Sequence, residues 1–351
     1  MENHFRRILV RATNWVGDAV MSVPALQALR QHNPQTQIAI LARPWVAGLY
    51  GREAFCDELI PYDAPRGWQG LNEKRRLAAS LRARKFDCAL LLQNAFEAAA
   101  LARWAGIAIR IGYDRDARGW LLTHPIPLPA AGETPRHQRF YYLELLKRAK
   151  LIPGYEHDGA IRLGGTGSAA SRGREHLQAA GLEGPVIGVS PGAAYGGAKR
   201  WLAERFAEAA VAIARERGAQ VAVFGSKEES AICETVRQEI AFAGLACHNF
   251  AGATSLAEFI EIAGACQLFL TNDSGAMHIA SALGVPTVVV FGATDDEATG
   301  PTGSWSRVVR HSVECSPCLL RECPIDHRCM TGVPASQVIA AVQGLVEIGR
   351  K

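Results

Sequence analysis

The sequence predicts an α/β protein that consists of two doubly wound parallel-sheet domains with a cleft between them. Three observations lead to this prediction. Short apolar runs alternate with amphipathic stretches, this alternation restarts half-way along the chain, and a stretch rich in glycine and serine separates the two halves. The 351 residues, of which 48% are hydrophobic and 21% charged, are enough for two domains that each bury an apolar core.

In the first half, short apolar runs predict strands that are buried on both faces. They cover residues 8–10, 38–41 and 88–92, and the stretches at 20–31 and 72–84 have apolar residues at helical spacing. Strands and helices in this order are typical of βαβ units, which build a parallel sheet.

The second half repeats this pattern. Apolar runs predict further strands at residues 186–189, 221–224, 268–270 and 286–291. Amphipathic spacing predicts helices at residues 203–217, 228–241, 256–265 and 277–283.

Residues 163–173 contain four glycines and two serines, and this composition predicts a flexible linker. We therefore expect an N-terminal domain over residues 1–165 and a C-terminal domain over residues 174–351. A last helix is expected at about 335–348. Two placements stay open for it, on the C-terminal domain or back on the N-terminal domain.

Charge is distributed unevenly between the halves. The whole chain has 38 Lys and Arg against 34 Asp and Glu, a net charge of +4, which excludes a strongly basic nucleic-acid coat. Residues 1–165 hold 23 of these cations and 15 of the anions, a net +8, so residues 166–351 carry a net −4. An anionic partner, such as an anionic membrane surface, would account for the basic half, and chance composition is the alternative.

No export or membrane segment is visible. Arg11, Asn14 and Asp18 interrupt the apolar run near the N-terminus, where a signal peptide would need its core. The longest apolar stretch, residues 279–293, is broken by glycine and proline and falls short of the ~20 residues of a spanning helix. Since the nine cysteines are odd in number and mostly scattered, we expect reduced thiols in a cytoplasmic protein.

The strongest local signal is the stretch 268–278, which reads as a strand, a sharp turn and a helix. The turn holds Asp273, Ser274 and Gly275, and His278 follows in the first turn of the helix. Unpaired amides at a helix start, with the positive end of the helix dipole, form an anion site. An ordinary N-cap at Asp273 or Ser274 is the alternative.

A second strand-to-helix loop, residues 190–201, is rich in glycine and ends in Lys199 and Arg200. The Walker A spacing is absent. Backbone amides and Lys199 can still neutralise phosphate oxygens, although a flexible loop with solvated cations would look the same. Two such loops at the carboxyl ends of strands indicate a nucleotide site.

The first domain also opens with a strand, a loop and a helix, over residues 8–20, but it lacks the G-x-G-x-x-G pattern. Asp18 lies near the start of the helix, where capping is one interpretation. The other is that Asp18 is a general base directed into the cleft, where it would take a proton from a sugar hydroxyl.

Several of these stretches, in the right order and over nearly the whole chain, resemble the signatures of the lipopolysaccharide heptosyltransferases of glycosyltransferase family 9. The similarity is greatest to the heptosyltransferase II type. The three main stretches are residues 14–21, 199–201 and 272–278, and shorter similar ones are residues 110–113, 224–226 and 291–295.

The resemblance implies a GT-B fold of two Rossmann-like domains. It also implies an inverting transfer of L-glycero-D-manno-heptose from ADP-heptose to the first inner-core heptose of lipopolysaccharide, at the cytoplasmic face of the inner membrane. No cofactor, obligatory metal or nucleic acid is expected. Two alternatives stay open: a related heptosyltransferase with a different core or protein acceptor, and a non-catalytic module that binds nucleotide sugars.

The resemblance also implies roles for individual residues. Asp18 corresponds to the catalytic base and Lys199 to the lysine on the donor diphosphate. The expected donor-binding residues are Lys199, Glu228, Glu229, Asp273, Ser274, Gly275 and His278, where one of the two glutamates meets the adenosine ribose. The expected acceptor-binding residues are Asn14, Trp15, Asn94, Arg136 and Arg139. For the two arginines, surface charge without a ligand is the alternative.

Two other patterns suggest a metal but are interpreted otherwise. Asp114-Arg115-Asp116 has the D-x-D spacing of metal-dependent sugar transferases, but it lies in the half opposite the expected nucleotide site. Cys315, Cys318, Cys323 and Cys329 lack the paired C-x-x-C spacing of a standard zinc site. A packed loop is therefore favoured for the cysteines.

Overall fold

The computed structural model describes residues 5–65 and 70–345. The chain divides into two compact units, Met1–Asp158 and Gly159–Lys351. Each unit is an α/β domain built on one parallel sheet, which confirms the predicted fold class.

The first unit has the Rossmann strand order. Its strands are β1 (Arg7–Arg11), β2 (Gln37–Ala42), β3 (Glu58–Pro61), β4 (Cys88–Leu91), β5 (Ile109–Tyr113) and β6 (His124–Ile126). Its helices are α1 (Val16–His32), α2 (Pro44–Tyr50), α3 (Leu71–Ala83), α4 (Phe96–Trp104) and α5 (Arg139–Arg148). The strands pair in parallel in the order β3-β2-β1-β4-β5-β6. The chain therefore changes its direction across the sheet between β1 and β4, the position at which such sheets bind ligands.

The second unit repeats this topology. Its strands are β7 (Val186–Ser190), β8 (Gln220–Val223), β9 (Cys247–Asn249), β10 (Leu268–Asn272), β11 (Thr287–Phe291) and β12 (Ser306–Arg310). Its helices are α6 (Thr166–Ala179), α7 (Ala203–Arg217), α8 (Ser230–Phe242), α9 (Leu256–Ala265), α10 (Gly275–Ala282), α11 (Asp296–Thr299), α12 (Arg328–Thr331) and α13 (Ala335–Gln343). The parallel order β12-β11-β10-β7-β8-β9 places the change of direction between β7 and β10.

The predicted strands are confirmed, and most of those that were not predicted lie at sheet edges. Every residue of β4, β7, β10 and β11 is buried, so each is a continuous apolar run in the sequence or nearly so. In contrast, β3, β6, β9 and β12 are the four edge strands. Because an edge strand has fewer neighbours, its residues stay partly exposed and it lacks the apolar run.

The predicted linker at 163–173 is wrong, because most of it is the first part of α6. Gly165 precedes this helix in a left-handed conformation, φ 63°. Gly173 lies against α9, where a Cβ atom would come within 2.0 Å of the carbonyl oxygen of Glu261. The small residues thus allow close helix packing, and the boundary between the units falls after Asp158 rather than at residue 165.

The last helix, α13, begins at residue 335 as predicted and ends at Gln343. Residues 346–348 of the prediction lie outside the described residues. Val338 and Val342 belong to the core of the second unit, and α13 packs on α7, β11 and β12. Within the described ranges, no helix combines the length and the apolar character that crossing a bilayer requires.

Candidate functional site

The loops after β7 and β10 are joined through Asn272, the last residue of β10. Its side chain is fully buried. Its Oδ1 accepts a hydrogen bond from the backbone amide of Trp201 at 2.9 Å, and its Nδ2 donates to the carbonyl of Pro191 at 2.7 Å. The Trp201 indole, also buried, donates to the carbonyl of Val333 at 3.0 Å. Asn272 therefore fixes both ends of the glycine-rich loop against the turn at Asp273.

Lys199 and Asp273, predicted separately as donor-binding residues, are in direct contact. Lys199 Nζ lies 2.5 Å from Asp273 Oδ2, and Thr294 Oγ1 donates to the same oxygen at 2.5 Å. Only 14% of the Lys199 side chain and 5% of the Asp273 side chain are exposed. Asp273 Oδ2 thus accepts hydrogen bonds from both the Lys199 ammonium and the Thr294 hydroxyl, in a position that is largely shielded from solvent.

The start of α10 lies next to this ion pair. Ser274 is its N-cap residue, in an extended conformation, and among the described residues its side chain makes no capping hydrogen bond. The Ser274 hydroxyl instead lies 3.2 Å from that of Thr271. Gly275 is the first helical residue, and His278 is buried on the same short helix. The first amides of α10 thus lie beside the ion pair, and their use as an anion site stays a prediction.

Glu228 and Glu229 occupy different environments. The Glu229 carboxylate accepts a hydrogen bond from the Ser226 amide at 2.8 Å and is buried. A Cβ atom on Gly192 would lie 2.2 Å from its Cδ, so this carboxyl group lies directly against the glycine-rich loop. Glu228 is exposed, and hydrogen bonds from its own amide and from the Ser226 hydroxyl lower its pKa.

In the first unit, two predicted acceptor residues lie at the ends of β1 and β4. Asn14 Oδ1 accepts a hydrogen bond from Arg11, whose buried guanidinium is 3.0 Å away. Asn94 Oδ1 accepts from Arg118 at 3.0 Å, and its Nδ2 donates to the Tyr141 hydroxyl at 2.9 Å. Both amides are therefore oriented by buried arginines. The arginines carry no sequence motif, so sequence reasoning missed them.

Trp15 and Asp18 follow at the start of α1. Trp15 is the N-cap residue and is 53% exposed. Asp18 lies in the first turn, half-buried, where its charge meets the positive end of the helix dipole. Burial, with a smaller contribution from the Asp18 charge, raises the pKa of Tyr50 to about 12 and also raises that of Tyr142. These two tyrosines are therefore neutral at physiological pH.

The two predicted arginines of the acceptor site differ. Arg136 is exposed. Arg139 donates to the carbonyl of His157 at 2.7 Å, and its guanidinium lies over the Phe140 ring at 4.5 Å. The second arginine is thus engaged in holding its own unit together.

The two metal-like patterns form no metal site in the part of the chain that the structure describes, which contains no suitable group of three or more His, Cys, Asp or Glu side chains. Arg115 pairs with Asp116 at 3.5 Å. Cys315 is exposed whereas Cys329 is buried, and the nearby His327 ring nitrogen lies 3.0 Å from the carbonyl of Ala198.

Comparison with known proteins identifies the family. The sequence profile of glycosyltransferase family 9 (heptosyltransferase) matches residues 74–328. The chain belongs to this family. It is 33% identical to lipopolysaccharide heptosyltransferase 2 of Salmonella typhimurium over 313 residues, which are 87% of this chain and 88% of the relative. The heptosyltransferase resemblance and the enzyme class predicted from the sequence are confirmed.

Solved structures of the glycosyltransferase family 9 fold agree. The structure of Escherichia coli ADP-heptose lipopolysaccharide heptosyltransferase II superposes with a TM-score of 0.79 at 28% identity, over 96% of this chain and 97% of that one. The family 9 glycosyl transferase of Veillonella parvula gives a TM-score of 0.82 at 22% identity, over 98% and 97%, which shows the fold alone. The GT-B class of fold is thereby confirmed.

Thr294 is the one residue of the ion-pair group that the sequence did not predict for the site. It lies within the stretch 291–295 that resembles the heptosyltransferases, so the motif contained the signal. Its role was not visible because Asp273, its partner, is 21 residues away in the chain.

Proposed function

We propose that this chain transfers L-glycero-D-manno-heptose from ADP-heptose to the first inner-core heptose of lipopolysaccharide, with inversion at the anomeric carbon. The observation that carries the proposal is the contact of Lys199, Asp273 and Thr294 beside the start of α10. It lies where β7 and β10 end, the position at which a doubly wound sheet binds a nucleotide.

In this proposal the second unit binds the donor. Lys199, Ser274, Gly275 and the amides of α10 receive the diphosphate, while Asp273 and His278 complete the turn around phosphate and sugar. Glu228 or Glu229 receives the adenosine ribose. The Lys199 ammonium and the amide dipoles at the start of α10 are fixed in place before the reaction and stabilise the ADP that departs. In this proposal no metal takes part, and activity is expected to persist in a chelator.

The first unit binds the acceptor. Asp18 accepts the proton of the acceptor hydroxyl while the hydroxyl oxygen attacks the anomeric carbon. The bond from that carbon to the diphosphate breaks, and ADP leaves with the electron pair. A positioned general base contributes about 10²–10⁴ in rate. Asn14, Trp15, Asn94, Arg136 and Arg139 are the proposed acceptor contacts.

The acceptor is lipid-linked, so we also propose peripheral contact with an anionic membrane at its cytoplasmic face. Support comes from the net charge of +8 over residues 1–165, from 23 cations and 15 anions. Exposed tryptophans in the first unit also support it, among them Trp15, Trp45 and Trp120, which are 53%, 50% and 69% exposed, because indole rings favour the membrane interface.

The test is incubation with ADP-heptose and a core oligosaccharide that ends in one inner-core heptose, followed by mass spectrometry of the product. Addition of one heptose is expected. With Asp18→Asn, turnover is expected to fall about 10²–10⁴-fold while ADP still binds. Transfer only to a different acceptor, or ADP binding without any transfer, would overturn the proposed reaction. An Asp18→Asn enzyme with wild-type turnover would remove Asp18 as the base.

A further inference from the structure

The connection between β12 and α12 contacts the glycine-rich loop. Ala198 donates its backbone amide to the carbonyl of Arg321 at 2.9 Å, and Gly197 donates to the Glu322 carboxylate at 3.0 Å. The Tyr195 hydroxyl donates to the carbonyl of Leu319 at 2.9 Å. These three contacts, two from backbone amides and one from a side chain, hold the loop just before Lys199 against this connection.

The same connection also holds the loop after β11. The Leu319 amide donates to the carbonyl of Ala293 at 2.8 Å, and the Ser316 hydroxyl donates to that of Gly292 at 2.6 Å. We call residues 316–322 the strap. The strap therefore contacts two loops, the one that carries Lys199 and the one that carries Thr294, and both of these side chains contact Asp273.

Gly196 permits the close approach of the strap. A Cβ atom at this position would lie 2.2 Å from the carbonyl oxygen of Arg321. The backbone contact between Ala198 and Arg321 thus requires a glycine at position 196. The strap packs directly against the glycine-rich loop.

Arg321, on the strap, is a second cation near the glycine-rich loop. Its guanidinium lies 5.1 Å from the centre of the Tyr195 ring, and Lys199 Nζ lies 4.8 Å from the same centre. Arg321 is exposed, and no ion pair is formed by it within the described residues. Lys199, by contrast, already has its charge balanced by Asp273.

A diphosphate needs more positive charge than a balanced pair provides. The Lys199–Asp273 pair has no net charge, so its attraction for an anion is weaker than that of a lone lysine. A guanidinium binds phosphate through two parallel hydrogen bonds, and it keeps its proton under all physiological conditions.

We propose that Arg321 binds the diphosphate of the nucleotide sugar, with its guanidinium and the Lys199 ammonium both in contact with the Tyr195 ring. This inference rests on the proposed function, because it assigns a further residue to the same donor site. Arg321 is a binding residue for the leaving ADP, on a segment whose cysteine spacing was the only feature seen in the sequence.

Calorimetric titration with ADP and with adenosine tests this. Arg321→Ala is expected to raise the Kd for ADP about 10- to 100-fold, because a hydrogen bond to a charged group is lost, and to leave the Kd for adenosine unchanged. Arg321→Lys keeps the positive charge, so its affinity for ADP is expected to fall less than that of Arg321→Ala. Arg328→Ala is the matched control, since Arg328 begins α12 directly after this connection, is exposed and pairs with Asp326 and Glu314.

The outcomes separate the two proposals. If the wild-type chain binds ADP and Arg321→Ala binds it equally well, the inference is wrong and the proposed function stands. If Arg321→Ala raises the Kd for ADP and the Kd for adenosine by the same factor, Arg321 only supports the loop, and the inference is again wrong. A wild-type chain that binds no ADP would overturn the proposed function, and this inference with it.

Discussion

At the scale of single residues, the environment of Asp273 determines what the candidate site can do. Its buried carboxylate holds both Lys199 and Thr294 through one oxygen. The sequence predicted Lys199 and the Asp273 turn from their separate loops. It could not predict their contact, because 74 residues separate them in the chain and only the sheet order brings β7 and β10 together.

Replacement of Lys199 removes a phosphate ligand and leaves Asp273 without its counter-ion. For Lys199→Ala we expect the KM for ADP-heptose to rise about 10- to 100-fold, and the unfolding free energy to fall by about 3–5 kcal/mol because the buried Asp273 carboxylate loses its counter-ion. Steady-state kinetics and denaturant titration measure the two effects.

Thr294→Val is the control for this prediction, since it keeps the shape of the side chain and removes only the hydroxyl donor to Asp273. We expect less than about a tenfold change in KM. An unchanged KM for ADP-heptose in Lys199→Ala would remove Lys199 from the donor site. A larger rise in KM for Thr294→Val than for Lys199→Ala would contradict the prediction that Lys199 binds the phosphate and Thr294 only supports Asp273.

At the scale of secondary-structure elements, local sequence predicted the central strands and missed α6. Central strands are buried on both faces, so their apolar runs are unambiguous. The start of α6 has the composition of a linker, but Ala169, Ala170 and Gly173 are buried in the second unit. Composition alone cannot distinguish small residues that give flexibility from small residues that let two helices approach each other.

This difference can be measured with two glycines of the same helix. A methyl group at Gly173 would meet the backbone of Glu261, whereas at Gly167 there is nothing within 4 Å. Gly173→Ala is expected to destabilise the protein by about 1–3 kcal/mol, since backbone must move. Gly167→Ala is expected to stabilise it by about 0.5–1 kcal/mol, since alanine favours the helix.

Thermal unfolding, followed by circular dichroism, compares the two variants. If this stretch were a flexible linker, both substitutions would leave the midpoint unchanged. Equal midpoints for Gly173→Ala and Gly167→Ala would therefore contradict the close packing of α6 on α9.

At the scale of the whole molecule, the boundary between the basic and the acidic half of the sequence lies close to the boundary between the two structural units. The basic half, with 23 cations and 15 anions over residues 1–165, nearly coincides with the first unit, Met1–Asp158. Surface exposure cannot be read from the sequence, however, so Trp45 and Trp120 were not predicted as exposed aromatic residues of this unit.

The proposed membrane contact predicts salt-sensitive binding to anionic vesicles. We expect the full chain to sediment with phosphatidylglycerol vesicles at low salt and to dissociate from them as the salt concentration rises. The reason is screening, since the Debye length falls to about 8 Å at 0.15 M ionic strength and is shorter still at higher salt. Arg75→Glu with Arg76→Glu, both exposed on α3, is expected to weaken binding further.

Arg215→Glu with Arg328→Glu is the matched control, because it makes the same charge change at exposed positions of the second unit. Equal weakening by the two double variants would show that net charge alone matters. Equal binding to phosphatidylcholine and phosphatidylglycerol vesicles would contradict an electrostatic contact.

The boundary after Asp158 has a consequence for protein engineering. Each six-stranded sheet of the described residues is completed within its own unit, and α6 belongs to the second unit from Thr166 onward. A chimaera joined between Asp158 and Gly159 would therefore interrupt no strand pairing and no helix, whereas a junction within residues 166–173 would divide α6. Exchange of the first unit between family members at this junction would replace the unit that we propose to bind the acceptor, while every residue of the Lys199–Asp273–Thr294 contact stays in place.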